Sequence, residues 1–173
     1  MKKGREEVLL YLDYDGVLHP ESVWRSPKRG VYIHSPKGHA LFENNVLLRD
    51  VLKSVPEVRV VLSTSWVRAL GFTQAKKRLL PAVRERVIGA TFHSQMAGDS
   101  FADAPRWQQI LRDVQRRKPR GWVAVDDDDR GWPAEHAHHL VSSNPQLGIG
   151  DPRVLAELMG KLIGICGRTV RED

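Results

Sequence analysis

Polar side chains that could carry out catalysis follow three separate apolar segments of the sequence. The first segment, VLLYL, is followed by DYDG at residues 13–16. The second, VRVVL, is followed by Ser63 and Thr64, and the third, GWVAV, by the acidic run DDDD at residues 126–129. In an open α/β sheet, ligands bind beyond the carboxyl ends of the strands, so three parallel strands would bring these polar groups to one edge.

Carboxylates gathered at such an edge require a compensating positive charge. Two carboxylates about 4 Å apart repel each other by roughly 4 kcal/mol at an effective dielectric constant near 20. An all-oxygen set of ligands without His or Cys favours Mg²⁺, which often bridges to a phosphate group of a substrate. An acidic run alone is also compatible with a solvated loop. The strand that precedes it and the earlier DxD pattern favour the metal site.

The elements that would position these groups alternate between strands and helices. Such alternation predicts an α/β fold with a mostly parallel sheet of about five strands, covered on both faces. The segment at 107–114 has apolar residues at i, i+3, i+4 and i+7, which is typical of an amphipathic helix. Asp151 and Pro152 are typical of the first residues of a helix. Predicted strands lie in VLLYL, EVRVVL, RVIGATF, GWVAV and HHLVSS; predicted helices lie in FENNVLLRDVLKSVP, in residues 72–86 with a break at Pro81, in APRWQQILRDVQRR and in DPRVLAELMGKLIG.

Length and composition are those of one soluble globular domain spanning residues 1–173. The apolar share is 41% and the charged share 28%, both ordinary for such a domain. No stretch approaches the ~20 apolar residues that span a bilayer. A single cysteine, Cys166, allows no internal disulfide and fits a reducing environment, so we expect a cytoplasmic protein. The net charge of +6 favours polyanions or phosphorylated ligands.

Residues 19–42 are rich in Pro, Gly, Ser and basic side chains and predict a long loop or small flap. Its aromatic residues Trp24, Tyr32 and Phe42 could stack a nucleobase between cations, or could anchor the flap to the domain. His19 is compatible with either a place in the site or a turn. At the other end of the sequence, residues 164–173 are expected to form a frayed tail.

The strand-end motifs resemble those of the haloacid dehalogenase-like (HAD) superfamily. YLDYDGVLHP is similar to its first motif, VVLSTSW to its second and WVAVDDDD to its fourth, in the same order over residues 8–128. Trp66 and the VDDD ending resemble a small, cap-poor subgroup linked to bacterial RNA-repair proteins. The resemblance implies a three-layer Rossmann-like fold without a large cap domain.

The same resemblance assigns roles to the aspartates. Asp13 would be the nucleophile that forms an aspartyl-phosphate, and Asp15 would act as general acid and base. Mg²⁺ would be held by the side chains of Asp13 and Asp126 and by the backbone carbonyl of Asp15, with Asp127 as a further ligand or a supporting partner. Gly16 would let the chain turn beneath the phosphate.

Two further substrate contacts follow from the resemblance, each with an alternative. Thr64 is the preferred hydroxyl donor to the phosphoryl group and Ser63 the fallback, although a hydroxyl at a strand end could simply cap the next turn. The family usually supplies a Lys in its third motif. Here Arg106 stands at the start of a helix, and Lys118 is the alternative at its far end. Arg offers bidentate hydrogen bonds where Lys offers a point charge.

These expectations describe a Mg²⁺-dependent phosphatase acting through an aspartyl-phosphate, with nucleotide or nucleic-acid end phosphates as substrates. A phosphotransferase or mutase would share the motifs but usually needs a cap that excludes water. A non-catalytic, basic nucleic-acid-binding module would keep the fold without turnover. The presence of Asp13, Asp15 and Asp126 argues against that last alternative.

Overall fold

A central five-stranded sheet organises the computed structural model, which describes residues 7–34, 38–96 and 98–167. All of its strands run parallel, as the alternation of strands and helices predicts. The strands of the described residues are β1 (Val8–Leu12), β2 (Val23–Ser26), β3 (Gly30–Ile33), β4 (Val58–Leu62), β5 (Val87–Ala90), β6 (Gly121–Asp126) and β7 (Leu140–Ser142). The order in the sheet is β5-β4-β1-β6-β7, and β2 pairs with β3 separately.

Helices cover both faces of the sheet, which gives the three-layer α/β architecture that the sequence predicts. They are α1 (Asn45–Ser54), α2 (Ser65–Leu70), α3 (Phe72–Lys77), α4 (Pro81–Arg84), α5 (Gly98–Asp103), α6 (Arg106–Arg117) and α7 (Pro152–Cys166), with a 3₁₀ helix at Ala134–His139. The predicted break at Pro81 is confirmed, because Pro81 begins α4. In the described residues no large cap domain covers the sheet edge.

Strand β1 lies at the centre and is wholly buried. Its alternate side chains enter two separate cores, because successive residues of a strand point to opposite faces. Leu10 belongs to the larger core, which α1, α2, α3, α4 and α7 help to form. Tyr11 belongs to the smaller one, where Ile110 of α6 is fully buried. The two cores fix the sheet rigidly beneath the ends of β1, β4 and β6.

Local sequence explains where α7 begins. The Asp151 carboxylate accepts a hydrogen bond of 2.9 Å from the Arg153 N–H, and Pro152 occupies the first helical turn. The helix continues through Cys166, although the sequence led us to expect a frayed tail from residue 164. Residues 168–173 lie outside the described part of the chain.

The basic segment at 19–42 contains more regular structure than its composition predicts. In place of a plain loop, β2 and β3 form an antiparallel hairpin in which Trp24 pairs with Tyr32 and Arg25 with Val31. Short strands with few alternating residues between Pro and Gly give too weak a pattern to detect. In the part of the chain that the structure describes, every helix is too short or too polar to cross a bilayer.

Candidate active site

Three aspartate side chains meet where β1 and β6 end. Asp13 follows β1 directly, Asp126 is the last residue of β6 and Asp127 comes next. One carboxylate oxygen from each lies within 4.8 Å of the others. The backbone N–H of Asp13 donates to the Val125 carbonyl at 3.2 Å, which fixes the end of β1 against β6. The convergence of strand ends expected from the sequence therefore brings these three residues together.

Arg106, the first residue of α6, is the cation of this cluster. Its Nε lies 3.0 Å from Asp126 Oδ2, and its Nη2 lies 3.7 Å from Asp13 Oδ2. The alternative cation, Lys118, follows the last residue of α6. A helix of this length spans about 18 Å, so Lys118 is at the opposite end of the helix from the carboxylates.

Burial makes the ionised form of the clustered carboxyl groups unfavourable. Burial raises the pKa of Asp13, a shift that Arg106 opposes and Asp15 reinforces. Burial and the nearby charge of Asp13 raise the pKa of Asp126 well above its usual range. The same two causes raise the pKa of Asp127 to about 7. Three ionised carboxylates around a single guanidinium would carry an excess of negative charge, and the raised pKa values show that the metal-free cluster disfavours full ionisation.

The donor set of the cluster fits a hard divalent cation. Asp13, Asp126 and Asp127 offer only carboxylate oxygens, the ligands that Mg²⁺ prefers. Asp126 Oδ2 is buried and, within the described residues, makes no hydrogen bond. Its contact with Arg106 is an ion pair without hydrogen-bond alignment. An unsatisfied buried carboxylate oxygen is costly, and coordination of a metal would satisfy it.

Asp15 lies beside this cluster and is held by two donors of its own. Its Oδ1 is 2.8 Å from His19 Nε2 and accepts a 2.9 Å hydrogen bond from the Trp66 indole N–H. Both contacts use the same oxygen, so the carboxylate is fixed in orientation while Oδ2 remains available. The side chain is 30% exposed, in contrast to the almost fully buried Asp13.

The proton of His19 is assigned by its second neighbour. The backbone N–H of Phe42 donates to His19 Nδ1 at 3.2 Å, so Nδ1 is an acceptor. In the neutral ring the proton therefore lies on Nε2, which donates to Asp15. His19 is fully buried in an aromatic cluster with Phe42, Trp66 and Tyr14.

Sequence reasoning left the place of His19 open and did not assign Trp66 a contact. The indication in the sequence was indirect: a histidine four residues after Asp15 and a tryptophan directly after the second motif. Of the flap aromatics, Phe42 anchors its segment through ring contacts with His19 at 4.7 Å and Trp66 at 5.2 Å. Trp24 is instead 59% exposed.

Gly16 permits both the turn after Asp15 and a close approach between the first and fourth motifs. Its φ of +71° is in the left-handed region that favours glycine. A Cβ at this position would overlap the Asp127 carboxylate. The Gly16 carbonyl also accepts a 2.6 Å hydrogen bond from the Ser143 hydroxyl. The absence of a side chain thus lets the first and fourth motifs touch.

The two candidate hydroxyls after β4 have different environments. Thr64 caps α2, and its Oγ1 accepts a 3.4 Å hydrogen bond from the Trp66 N–H. An accepting hydroxyl still has its own proton to donate. The Ser63 hydroxyl is buried and has no hydrogen-bond partner within the described residues. Thr64, with Arg106, also lines a cavity of about 320 Å³ next to the cluster.

The fold and site define a HAD-like α/β protein, with an acidic strand-end cluster and no large cap in the described residues. The match to a family model over residues 9–154 shows that the chain belongs to the family described as the HAD domain in Swiss Army Knife RNA repair proteins. The predicted resemblance is thereby confirmed, and membership supports a HAD-superfamily hydrolase in general terms. No curated protein matches the chain.

Proposed function

We propose that the protein is a Mg²⁺-dependent phosphatase that acts through an aspartyl-phosphate on nucleotide or nucleic-acid end phosphates. The observation that carries the proposal is the meeting of Asp13, Asp126 and Asp127 within 4.8 Å, with Arg106 between Asp13 and Asp126. An excess of carboxylates around a single guanidinium costs electrostatic free energy. Binding of a metal cation together with a phosphoryl group would offset that cost. A structural ion pair would need only one acid for one base.

In the proposed reaction Asp13 is the nucleophile. Its Oδ1 accepts a 2.8 Å hydrogen bond from the Tyr14 N–H, whereas its Oδ2 faces the Arg106 guanidinium. Attack by Oδ2 on phosphorus forms an O–P bond as the bond to the leaving oxygen breaks. Water then attacks the same phosphorus, releases inorganic phosphate and regenerates the carboxylate.

Asp15 supplies and recovers the proton in these two steps. In its protonated form it donates the proton to the leaving oxygen, and as a carboxylate it then removes one from the attacking water. The fixed Oδ1, held by His19 and Trp66, leaves Oδ2 for this transfer. One side chain can serve both steps because the leaving group departs from the side of phosphorus opposite Asp13, and the water later attacks from that same side.

Side chains beside the carboxylate cluster would balance the negative charge on the oxygens of the transferred phosphoryl group. Arg106 can hydrogen-bond two of these oxygens, and Thr64 or Ser63 can donate from the end of β4. Bound at Asp13, Asp126 and Asp127, Mg²⁺ would act as a Lewis acid that polarises the phosphoryl group. The side chain of Asp15 lies outside that carboxylate cluster, so its part in metal binding would be through its backbone carbonyl.

The open sheet edge supports hydrolysis of phosphates on large substrates. Within the described residues no large cap domain covers the sheet edge, and the β2–β3 hairpin borders only a cleft beside Asp15, so water and a bulky leaving group would have access. The net charge of +6 favours a polyanion. Transfer to an acceptor other than water would normally require a cover that excludes water.

Phosphate release from an aryl phosphate and from 3′- and 5′-phosphorylated oligonucleotides tests the proposal. Release with Mg²⁺ that disappears with EDTA and in Asp13→Asn is the expected result. Asp50→Asn, the same change at an exposed site on α1, should retain full activity. Mg²⁺-independent release, or release that survives in Asp13→Asn, would contradict the proposed mechanism. Phosphate appearing on an added alcohol instead of in solution would indicate a transferase.

A further inference from the structure

The cleft between the β2–β3 hairpin and α2 opens directly beside Asp15. It encloses about 150 Å³, and its walls include Asp15, Trp66 and Leu70 from the domain and Val23 and Arg25 from the hairpin. Most of this lining is apolar. Asp15 is the only acid and Arg25 the only base among the residues that line it.

The hairpin directs Arg25 toward the domain. In a strand, alternate residues share a face, so Arg25 lies on the same face as Val23, and the cross-strand partner Val31 lies there too. Val23 and Val31 pack against the main core. Trp24 and Tyr32 pair on the opposite face, although Trp24 also contributes to the lining of the cleft. Arg25 therefore extends from the face that closes the cleft.

Arg25 has no salt bridge or hydrogen bond with any other described residue. Two other arginines are partnered: Arg29 lies over the Tyr32 ring at 5.6 Å, and Arg130 forms a two-point ion pair with Asp128 at 2.8 and 3.1 Å. Arg68 of α2, like Arg25, forms no salt bridge or hydrogen bond with a described residue, but it lines a different cavity. An exposed guanidinium that forms no ion pair with a described residue can bind an anion.

The position of Asp15 determines which part of a substrate would enter this cleft. The group that protonates the leaving oxygen must lie on the leaving-group side of the phosphorus. Whatever is attached to that oxygen must then extend past Asp15. An apolar wall and a single cation suit a nucleoside that carries a second phosphate.

We propose that this cleft is the leaving-group subsite and that Arg25 binds the phosphodiester next to the scissile phosphate. The inference rests on the proposed phosphatase activity and narrows its substrate class to the ends of nucleic-acid strands. Mononucleotides would lack the anion that Arg25 recognises. Arg25 is then a specificity-determining residue for the reaction.

The test compares paired substrates that differ by one phosphodiester. Adenosine 5′-monophosphate is paired with the 5′-phosphorylated dinucleotide pApA, and adenosine 3′-monophosphate with the 3′-phosphorylated ApAp. We expect the wild type to prefer the dinucleotide of at least one pair in kcat/KM. Arg25→Gln should reduce that preference about tenfold, the effect of losing one charge-assisted contact. Arg153→Gln, the same charge change on α7, should keep the preference.

A second arginine variant distinguishes between two possible paths of the substrate. Arg68 lines the neighbouring cavity of about 320 Å³, on the Arg106 side of α2. If Arg68→Gln removes the preference and Arg25→Gln does not, the substrate crosses that cavity and the proposal is wrong. Absence of any preference in the wild type would also overturn it.

Equilibrium binding separates failure of this inference from failure of the proposed function. Asp13→Asn protein with Mg²⁺ is titrated with single-stranded, end-phosphorylated oligonucleotides at several salt concentrations. Adding Arg25→Gln should make the dependence of log K on log salt less steep by about 0.7, as for one lost phosphate contact. If the wild type hydrolyses nothing but this change is seen, the phosphatase proposal fails, and Arg25 stands as a phosphodiester-binding residue without a leaving-group role. An unchanged slope overturns the subsite.

Discussion

Two groups of buried acids, Asp113 with its partners and the strand-end cluster, differ in the balance between carboxylates and arginines. Asp113 of α6 is 4% exposed and is fully partnered. It accepts a 2.9 Å hydrogen bond from the Tyr11 hydroxyl and contacts Arg116 at 2.5 Å and Arg117 at 2.7 Å. At the strand ends three carboxylates lie together, Arg106 forms ion pairs with two of them, Asp13 and Asp126, and the buried Oδ2 of Asp126 makes no hydrogen bond within the described residues.

The difference separates a buried acid with a structural role from the acids of the proposed active site. Asp113 satisfies the hydroxyl of Tyr11 and joins α6 to the central strand, and nothing further is needed there. In the strand-end cluster a buried carboxylate oxygen is left without a hydrogen bond within the described residues, and protonation or a bound cation would relieve the excess of negative charge. Burial alone would not have distinguished the two groups, because Asp13 at 3% and Asp126 at 1% exposure resemble Asp113.

The largest expected effect is that of Asp13→Asn, which should lower kcat by roughly 10⁴–10⁶-fold through loss of the nucleophile. The same substitution should raise the stability of the metal-free protein, since it removes one of several mutually repelling charges. Steady-state assays and urea unfolding in EDTA measure the two effects. A variant that is inactive and also strongly destabilised would place Asp13 in the structural class with Asp113.

Arg106→Gln should lower kcat by about 10²–10³-fold, because it removes the positive charge that balances the phosphoryl oxygens. Arg106→Lys should recover part of this loss as a point charge without bidentate geometry. Single-turnover phosphate release at saturating substrate gives the rate. Arg153→Gln on α7 serves as the control, and equal losses in the two Gln variants would show a general charge effect.

Asp113→Asn should destabilise the fold by about 3 kcal/mol, because it leaves a buried tyrosine hydroxyl and two arginines poorly paired. Urea unfolding measures the loss, and Tyr11→Phe should cost less, about 1 kcal/mol. The kcat of the folded Asp113→Asn protein should stay close to that of the wild type. A large fall in kcat without loss of stability would remove the distinction between the two groups.

The smallest effect concerns pH. Burial and Asp13 raise the pKa of Asp127 from 3.8 to about 7, so the metal-free folded state holds more protons than the unfolded state between these values. Its stability should therefore fall as pH rises from about 4 to 7. Mg²⁺ competes with these protons, so it should raise Tm more at pH 8 than at pH 5.5. Asp127→Asn should flatten this difference, and an unchanged difference would exclude Asp127 as its source.

Much of the fold followed from local patterns in the sequence. Buried runs such as Val8–Leu12 and the helical spacing around Ile110 predicted the sheet and its cover, and the strand-end aspartates predicted where a site would form. What could not be predicted depends on contacts between distant residues. The two donors that hold Asp15, the pairing of Asp113 with Tyr11 and the short hairpin are fixed by tertiary packing rather than by residue spacing.

The central place of β1 has a consequence for the order of folding. Val8 registers with Val58 on one side and with Gly121 on the other, so the sheet is completed only when distant parts of the chain meet. Such long-range pairing is slow, because chain entropy is lost before the contacts form. During synthesis, a nascent chain that ends before β6 carries Asp13 and Asp15 without Asp126 and Asp127. The proposed site can therefore be assembled only after the segment that contains β6 has been made.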